Sequence, residues 1–446
     1  MIALPETRLR PLRMRPMAAC LATAMAAAAP GFGAAQFADL IQAAPTVAVQ
    51  NCNDSGAGSL RAAYANAVDN ETIDLTQLVC SRITLGSALT GPVAASNVTL
   101  QGPGQELLTI DGDGRYRVLV HRGSGYLHID HLKITNGHYS GAHGGCIYSA
   151  GGVEVSASTI SSCVLDTAEP AATGGAIYAK GVVGLFDSTV SDSSANAPGG
   201  YNSRGGGIYS WGIVMSRSTV SGNSAAKGGG IHASGIVDIR DSTLSGNHAY
   251  YGGALITPGI SAEHKIKNST ISGNDAKLFG GAIYADAVKI YNCTIVNNKT
   301  ALSGPVGAGL FVGASILQSS IVANNTSGGG LIEDDIVASG VTTGSNNLIM
   351  ASAGPVPAGS ITVDPKLSPL QDNGGPTRTH ALLPGSPAID KGNNSLALAS
   401  DQRGALFGRV DGSSADIGAF ESHDTVFRTD FEPQEVQRVV AGQPTP

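Results

Sequence analysis

The chain has 446 residues, 60 of them Gly, with 14% charged and 5% aromatic residues and a formal net charge of -7. Gly at that level without a Gly-X-Y period excludes collagen, and 42% hydrophobic residues exclude wholesale disorder. The sparse, mildly acidic charge gives no electrostatic reason to expect nucleic acid or an anionic membrane as partner.

Arg8, Arg10, Arg13 and Arg15 precede a short apolar stretch from Met17 to Ala29, and Gly33-Ala34-Ala35 offers small residues for cleavage, so residues 1–35 read as an export signal. About 13 apolar residues are too few to cross a bilayer, and no later segment is apolar enough, so no membrane span is expected once the signal is removed. Export permits disulfides. Cys52 and Cys80 flank one short segment and are expected to pair; Cys146 can pair with Cys163, which leaves Cys293 free. No Cys or His spacing points to a metal, and no motif points to a cofactor. Residues 50–80 are expected to cap the N-terminal end: the stretch from Ser59 to Ala67 is helix-prone, with Ser59 placed as its N-cap.

From residue 81 to 345 the chain repeats itself. A Ser-Thr-aliphatic-Ser phrase places Thr at 159, 189, 219, 243, 270 and 294, with Ser320 in the next place. Ahead of each Thr, apolar or small residues fall at a 2-3-2 spacing, as in Val237, Ile239, Ser242 and Leu244. Period two marks short strands and the step of three marks a bend. A turn of about 24 residues cannot bury its own apolar face, so successive turns must stack. This predicts an all-β fold, a right-handed parallel β-helix. Its inside ladder is expected to run through Ile147, Ile177, Ile208, Ile231, Leu255, Ile283 and Leu310. A tight inward ladder is expected through Ser158, Ser188, Ser218, Ser242, Ser269, Cys293 and Ser319, and an amide ladder through Asn223, Asn247, Asn274, Asn298 and Asn324.

Three stretches, Asp54-Ser55-Gly56-Ala57-Gly58-Ser59-Leu60-Arg61-Ala62-Ala63, Val98-Thr99-Leu100-Gln101-Gly102-Pro103-Gly104 and Gly174-Gly175-Ala176-Ile177-Tyr178, resemble exported bacterial β-helix proteins of the pectin-lyase-like superfamily. Further on, Asp372-Asn373-Gly374-Gly375-Pro376-Thr377-Arg378-Thr379-His380, Gly385-Ser386-Pro387-Ala388-Ile389-Asp390, Asp401-Gln402-Arg403-Gly404 and Asp416-Ile417-Gly418-Ala419-Phe420-Glu421 resemble the choice-of-anchor Q domain in order and spacing. The resemblance covers most of residues 50–421. It implies a β-helix closed by a β-rich C-terminal cap over 346–421, an extracellular or cell-surface location in a bacterium, and no settled activity. Residues 422–446 read as a flexible tail.

Polysaccharide enzymes on β-helices need acids from neighbouring coils that converge on one face. One outward slot reads His131, Ala157, Asp187, Arg217, Asp241, Asn268, Asn292, Gln318, and another reads His128, Glu154, Gly184, Val214, Asp238, Lys265, Lys289, Ser315. Acids there alternate with bases or neutral residues, the pattern of a solvated face. The best catalytic grouping is His128, Asp130, His131 and Lys133 with Glu154 one coil on, weighed against plain surface polarity. Asp111-Gly112-Asp113-Gly114 opens like a calcium loop but lacks the rest of one, so a turn is the better reading. Glu333-Asp334-Asp335 reads as an exposed acidic patch. In the C-terminal part, Asp364, Asp390, Asp401 and Asp416 alternate with Arg378, Arg403 and Arg409, which suggests buried Asp–Arg pairing.

The residue after each inward Ile is Tyr148, Tyr178, Tyr209, His232, Tyr284 and Phe311, interrupted by Ile256, with Trp211 close by. Such an outward aromatic stripe suits sugar rings or partner proteins, or stacks on itself for stability. The expected function is that of a monomeric, exported, non-enzymatic β-helix protein presenting a long face to a polysaccharide or a surface protein. The alternative is a polysaccharide lyase or glycoside hydrolase.

Overall fold

A computed structural model describes residues 44–259 and 264–423. One coil shows how the repeat folds. Ile208–Ser210 and Gly212–Ser216 form strands of a first sheet. Arg217 then turns the chain in the left-handed region (φ 48°), Thr219–Ser221 joins a second sheet, and Gly222 (φ 65°) turns it again. The coil closes through a third, patchy sheet and the Gly228-Gly229-Gly230 corner before Ile231 restarts the first sheet. At Gly228 (φ 66°) a Cβ would run into the carbonyl of Ile231, so only Gly makes this reversal.

Successive coils pair in parallel and in register: Ile147, Ile177, Ile208, Ile231, Leu255, Ile283 and Leu310 follow one another up the first sheet. The second sheet holds eleven strands among the described residues. The result is a right-handed parallel β-helix whose single apolar core runs its length. Each Ile, Leu or Val so buried contributes about 1.5–3 kcal/mol relative to exposure.

Two polar ladders tie the coils together inside. Each ladder serine accepts from the backbone N–H one coil back: Ser188 N–H donates to Ser218 Oγ (3.0 Å), and Ser218 N–H to Ser242 Oγ (3.2 Å). In the amide ladder, Asn247 Oδ1 accepts from both the N–H (3.1 Å) and the Nδ2 (3.0 Å) of Asn223, and its own Nδ2 donates to Asn274 Oδ1 (2.9 Å). The Gly of Ser-Gly-Asn is the left-handed corner just ahead of each ladder amide, filled by Asp192, Asn297 or Asn324 where Gly is missing.

That corner corrects two of the expected ladders. The last step is 27 residues, not 26: Thr294 pairs with Ile321, so the ladder members are Ser320 and Asn325, while Ser319 and Asn324 are the left-handed corners. By the same shift Ser319, not Gln318, follows Asn292, and Ile316, not Ser315, pairs with Lys289. The Ser-Ser and Asn-Asn doublets fit both registers. An outward Thr position also invites a polar residue, whereas Ile321 is covered.

What covers it is the C-terminal segment. Leu382, Ala388, Ile417 and Phe420 pack on Val296, Ile321, Ala323 and Leu348 to form a second core. Gln402 is wholly buried and donates from Nε2 to Thr243 Oγ1 and Thr377 Oγ1 (2.9 Å each), and it accepts from Thr270 Oγ1 (2.6 Å). The outward threonines 243, 270 and 294 are therefore buried, while Thr159, Thr189 and Thr219 are not.

At the other end, α1 (Leu60–Ala65) lies over the first coils. Ser59 Oγ caps it by accepting from Ala62 N–H (3.2 Å), and it buries Leu60 and Tyr64. Disulfides join Cys52 to Cys80 and Cys146 to Cys163, and Cys293 is free and buried.

The acidic run also differs from expectation. Glu333 is exposed, but Asp335 is buried and ends the amide ladder, with Oδ1 accepting from the N–H and Nδ2 of Asn325 (3.0 and 2.8 Å). Asp334 is buried against the N–H groups of Val306 and Ala308. In the C-terminal segment Arg403 pairs with Asp401 (2.6 Å), whereas Arg409 pairs with Glu421 (3.2 Å), both fully buried, and Arg378 and Asp364 are exposed. Asp111 takes Asp113 N–H (2.8 Å) and pairs with Arg82, which makes its loop a turn. Residues 1–43 and 424–446, with the expected signal and most of the tail, lie outside the described residues.

Candidate functional site

His128 and Asp130 stand on one face of the strand Tyr126–Asp130, and Glu154 lies beside His128 in the register of the next coil. His128 Nδ1 is 3.4 Å from Glu154 Oε1, and that contact, helped by the His128 charge, outweighs the opposing effect of burial and holds the Glu154 carboxyl below its ordinary range. His131 occupies the left-handed corner, and its Nδ1 meets Asp130 Oδ1 at 2.7 Å. Lys133 is not brought in: it lies on the second sheet between Thr109 and Thr159. His128, Asp130 and Glu154 line a shallow concavity of about 240 Å³ in which the half-exposed Glu154 carboxylate lies beside the His128 imidazole. Among the described residues, no three His, Cys, Asp or Glu side chains are grouped so as to hold a metal ion.

The aromatic row follows the coil register and is interrupted at Ile256. Tyr148, Tyr178, Tyr209, His232, Ile256, Tyr284 and Phe311 are register partners in consecutive coils. Ring centroids are 5.4 Å apart for Tyr148–Tyr178, 5.5 Å for Tyr178–Tyr209, 5.1 Å for Tyr209–His232 and 5.2 Å for Tyr284–Phe311, with near-parallel planes. Strands about 4.8 Å apart impose that spacing, close to the offset-stacking distance of rings. Burial lifts the Tyr178 hydroxyl above its ordinary range, with Tyr209 and Tyr148 adding to the effect. Trp211 sits at the next corner, exposed and packed over Gly235; no ring contact joins it to the row among the described residues.

A second row lies beside the first, and the sequence reading missed it. The residue just before each Gly-Gly corner also stacks coil on coil: His143, Thr173, Arg204, Lys227, Tyr251 and Phe279. The glycine reversal sets the two rows side by side. The His143 ring lies 4.4 Å from that of Tyr178, Phe279 lies 4.9 Å from Phe311, and Tyr251 meets Tyr284 edge-on at 6.0 Å. The signal was present as the position preceding each Gly-Gly, but its mixed chemistry hid the alignment. Near the N-terminal end, Arg117 caps the groove, with its guanidinium 3.5 Å above the Tyr139 ring. Arg117, Tyr139, His143 and Tyr148 line a concavity of about 480 Å³.

No known protein family's pattern matches this chain, and no curated protein matches it. A solved structure, the crystal structure of pectate lyase Pel9A, resembles it with a TM-score of 0.50 and 15% identity, over 85% of this chain and 97% of that one. At that identity the likeness is one of fold, the parallel β-helix.

Proposed function

We propose that the protein is an exported β-helix binding protein that lays a polysaccharide, or a glycan-bearing surface partner, along its aromatic groove. One observation carries this reading: a row of stacked, mostly half-buried rings runs over several coils, flanked by a second row of mixed chemistry. Half-buried rings with flat faces suit sugar rings, and repetition along the axis suits a repeating ligand. Two disulfides fit an oxidising compartment, and among the described residues no helix is long and apolar enough to cross a membrane. We read the C-terminal segment as a choice-of-anchor Q-like unit. Burial of its motif residues Asp401, Gln402, Arg403, Asp416 and Glu421 in one network against the solenoid supports this.

Titration of the secreted protein against a glycan panel tests the reading. Tyr178→Ala and Tyr209→Ala should each weaken saccharide binding about three- to tenfold, the worth of one ring platform. The reading fails if no saccharide binds or if neither change alters binding.

The second reading, a polysaccharide lyase or hydrolase, rests on the His128–Glu154 contact in its concavity. It predicts unsaturated or reducing products that vanish in Glu154→Gln. An enzyme of this kind calls for several converging carboxylates, and here the two that line the concavity, Glu154 and Asp130, each face a histidine of their own, so we favour binding.

A further inference from the structure

The aromatic row has one gap. Between His232 and Tyr284 the register position is Ile256, too small to continue the stack, and Tyr251 and Tyr284 stand edge to face beside it. The gap opens a notch of about 560 Å³, in the range of small-ligand sites.

The notch is polar. Arg204 and Lys227 are register partners in consecutive coils, so two cations line its wall about 5 Å apart at the backbone. Neither is in an ion pair among the described residues, and no Asp or Glu among them lines the notch. Two buried donor or acceptor atoms there have no hydrogen-bond partner among the described residues, Arg204 Nε and His232 Nδ1. His232 is only 5% exposed. Buried polar atoms are nearly always paired, so two orphans in one notch call for a partner from outside the chain. Burial first, then the Arg204 and Lys227 charges, depress His232 to about 4. Its imidazole is therefore neutral, with one donor and one acceptor nitrogen to offer a hydroxyl.

We propose that this notch is a subsite for a sugar unit bearing an anionic group, a carboxylate or a sulfate ester: Arg204 and Lys227 take the anion, His232 Nδ1 takes a ring hydroxyl, and the stacked Tyr209–His232 pair and the Tyr284 ring bound the notch along the axis. The proposal rests on the saccharide-binding reading and assigns one place in the groove to one charge class. Nucleic acid fits less well, because two cations in a net acidic chain are far from a basic stripe.

The test titrates the whole secreted chain with three hexasaccharides, one of uronic acid, one O-sulfated and one neutral, and with a short single-stranded DNA. Wild type should bind an anionic sugar about tenfold tighter than the neutral one, and the gap should close at roughly 0.5 M salt, where screening reaches a few ångströms. Arg204→Gln and Lys227→Gln should each lower anionic-sugar affinity about tenfold and so remove that preference. Ile256→Phe, which fills the gap, should do the same without lowering the melting temperature. Preference for one anionic sugar over the other supports the subsite and names the group. Equal affinity for neutral and anionic sugars, with no effect of Arg204→Gln, overturns the subsite while the groove reading stands. DNA binding with the same residue dependence overturns the saccharide assignment. Failure of every sugar to bind overturns both.

Discussion

Neighbouring asparagines 324 and 325 test the ladder physics sharply, because they differ in structure and not in chemistry. Asn325 is fully buried. Its Oδ1 accepts from the N–H and Nδ2 of Asn298 (3.0 and 2.8 Å), and its Nδ2 donates to Ile295 O (3.0 Å) and Asp335 Oδ1 (2.8 Å), with Ala323 O a shared third acceptor (3.1 Å). Asn325→Ala removes four hydrogen bonds and strands buried donors in an apolar shaft. At about 1 kcal/mol each, and more for an orphaned donor, the loss is about 4–5 kcal/mol. Asn324 is a corner residue at φ 57°, where Ala suffers the left-handed penalty of about 1 kcal/mol and Gly suffers none. Urea unfolding followed by far-ultraviolet circular dichroism should show a large drop for Asn325→Ala, a small one for Asn324→Ala and none for Asn324→Gly. Equal losses at the two positions, or a larger one at Asn324, would refute both the register and the account of the ladder.

Three further outcomes follow from particular contacts. Replacing Cys146 and Cys163 by Ser, which opens a loop spanning a sequence separation of 17, should cost about 3 kcal/mol, read as a lowered melting temperature. Because His232 is held near 4 in the fold against an ordinary 6.5, the unfolded chain takes up a proton between those values that the folded chain does not. Stability should therefore fall as pH drops through about 6.5 to 4, and His232→Phe should recover about 2 kcal/mol at about pH 4.5, in a calorimetric pH series. His264 and His380, also lowered by burial, keep part of the slope in that variant. Gln402→Ala removes three hydrogen bonds to Thr243, Thr270 and Thr377, so hydrogen exchange should speed up across the C-terminal segment first and spare the distant N-terminal coils.

How far such features can be read without coordinates depends on whether each coil repeats them. Ile208, Ser218 and Asn223 recur in type and spacing because every turn must fill the same slot in the shaft, so the fold and both interior ladders are written many times over. Outward positions repeat only where something outside the coil demands it. Stacking demands it of Tyr148, Tyr178 and Tyr209, and the row was visible; nothing demands it of Thr173, Arg204 and Lys227, and their row was not. The one-residue slip at Ser319 has the same origin. Ile321 is apolar on an outward face because residues nearly a hundred positions later, Ile417 and Phe420, fold back over it, and a repeat carries no record of a contact made once. The His128–Glu154 contact was legible because the two are register neighbours in adjacent coils. Arg409 was paired wrongly with the aspartates because Asp416 offers it only a carbonyl (2.7 Å), while Glu421 supplies the carboxylate. On the proposed binding reading, specificity is written in the same non-repeating places: the lone Ile256 that interrupts a run of rings is where the row stops being uniform, and a site that recognises one chemical group must break a repeat that otherwise treats every coil alike.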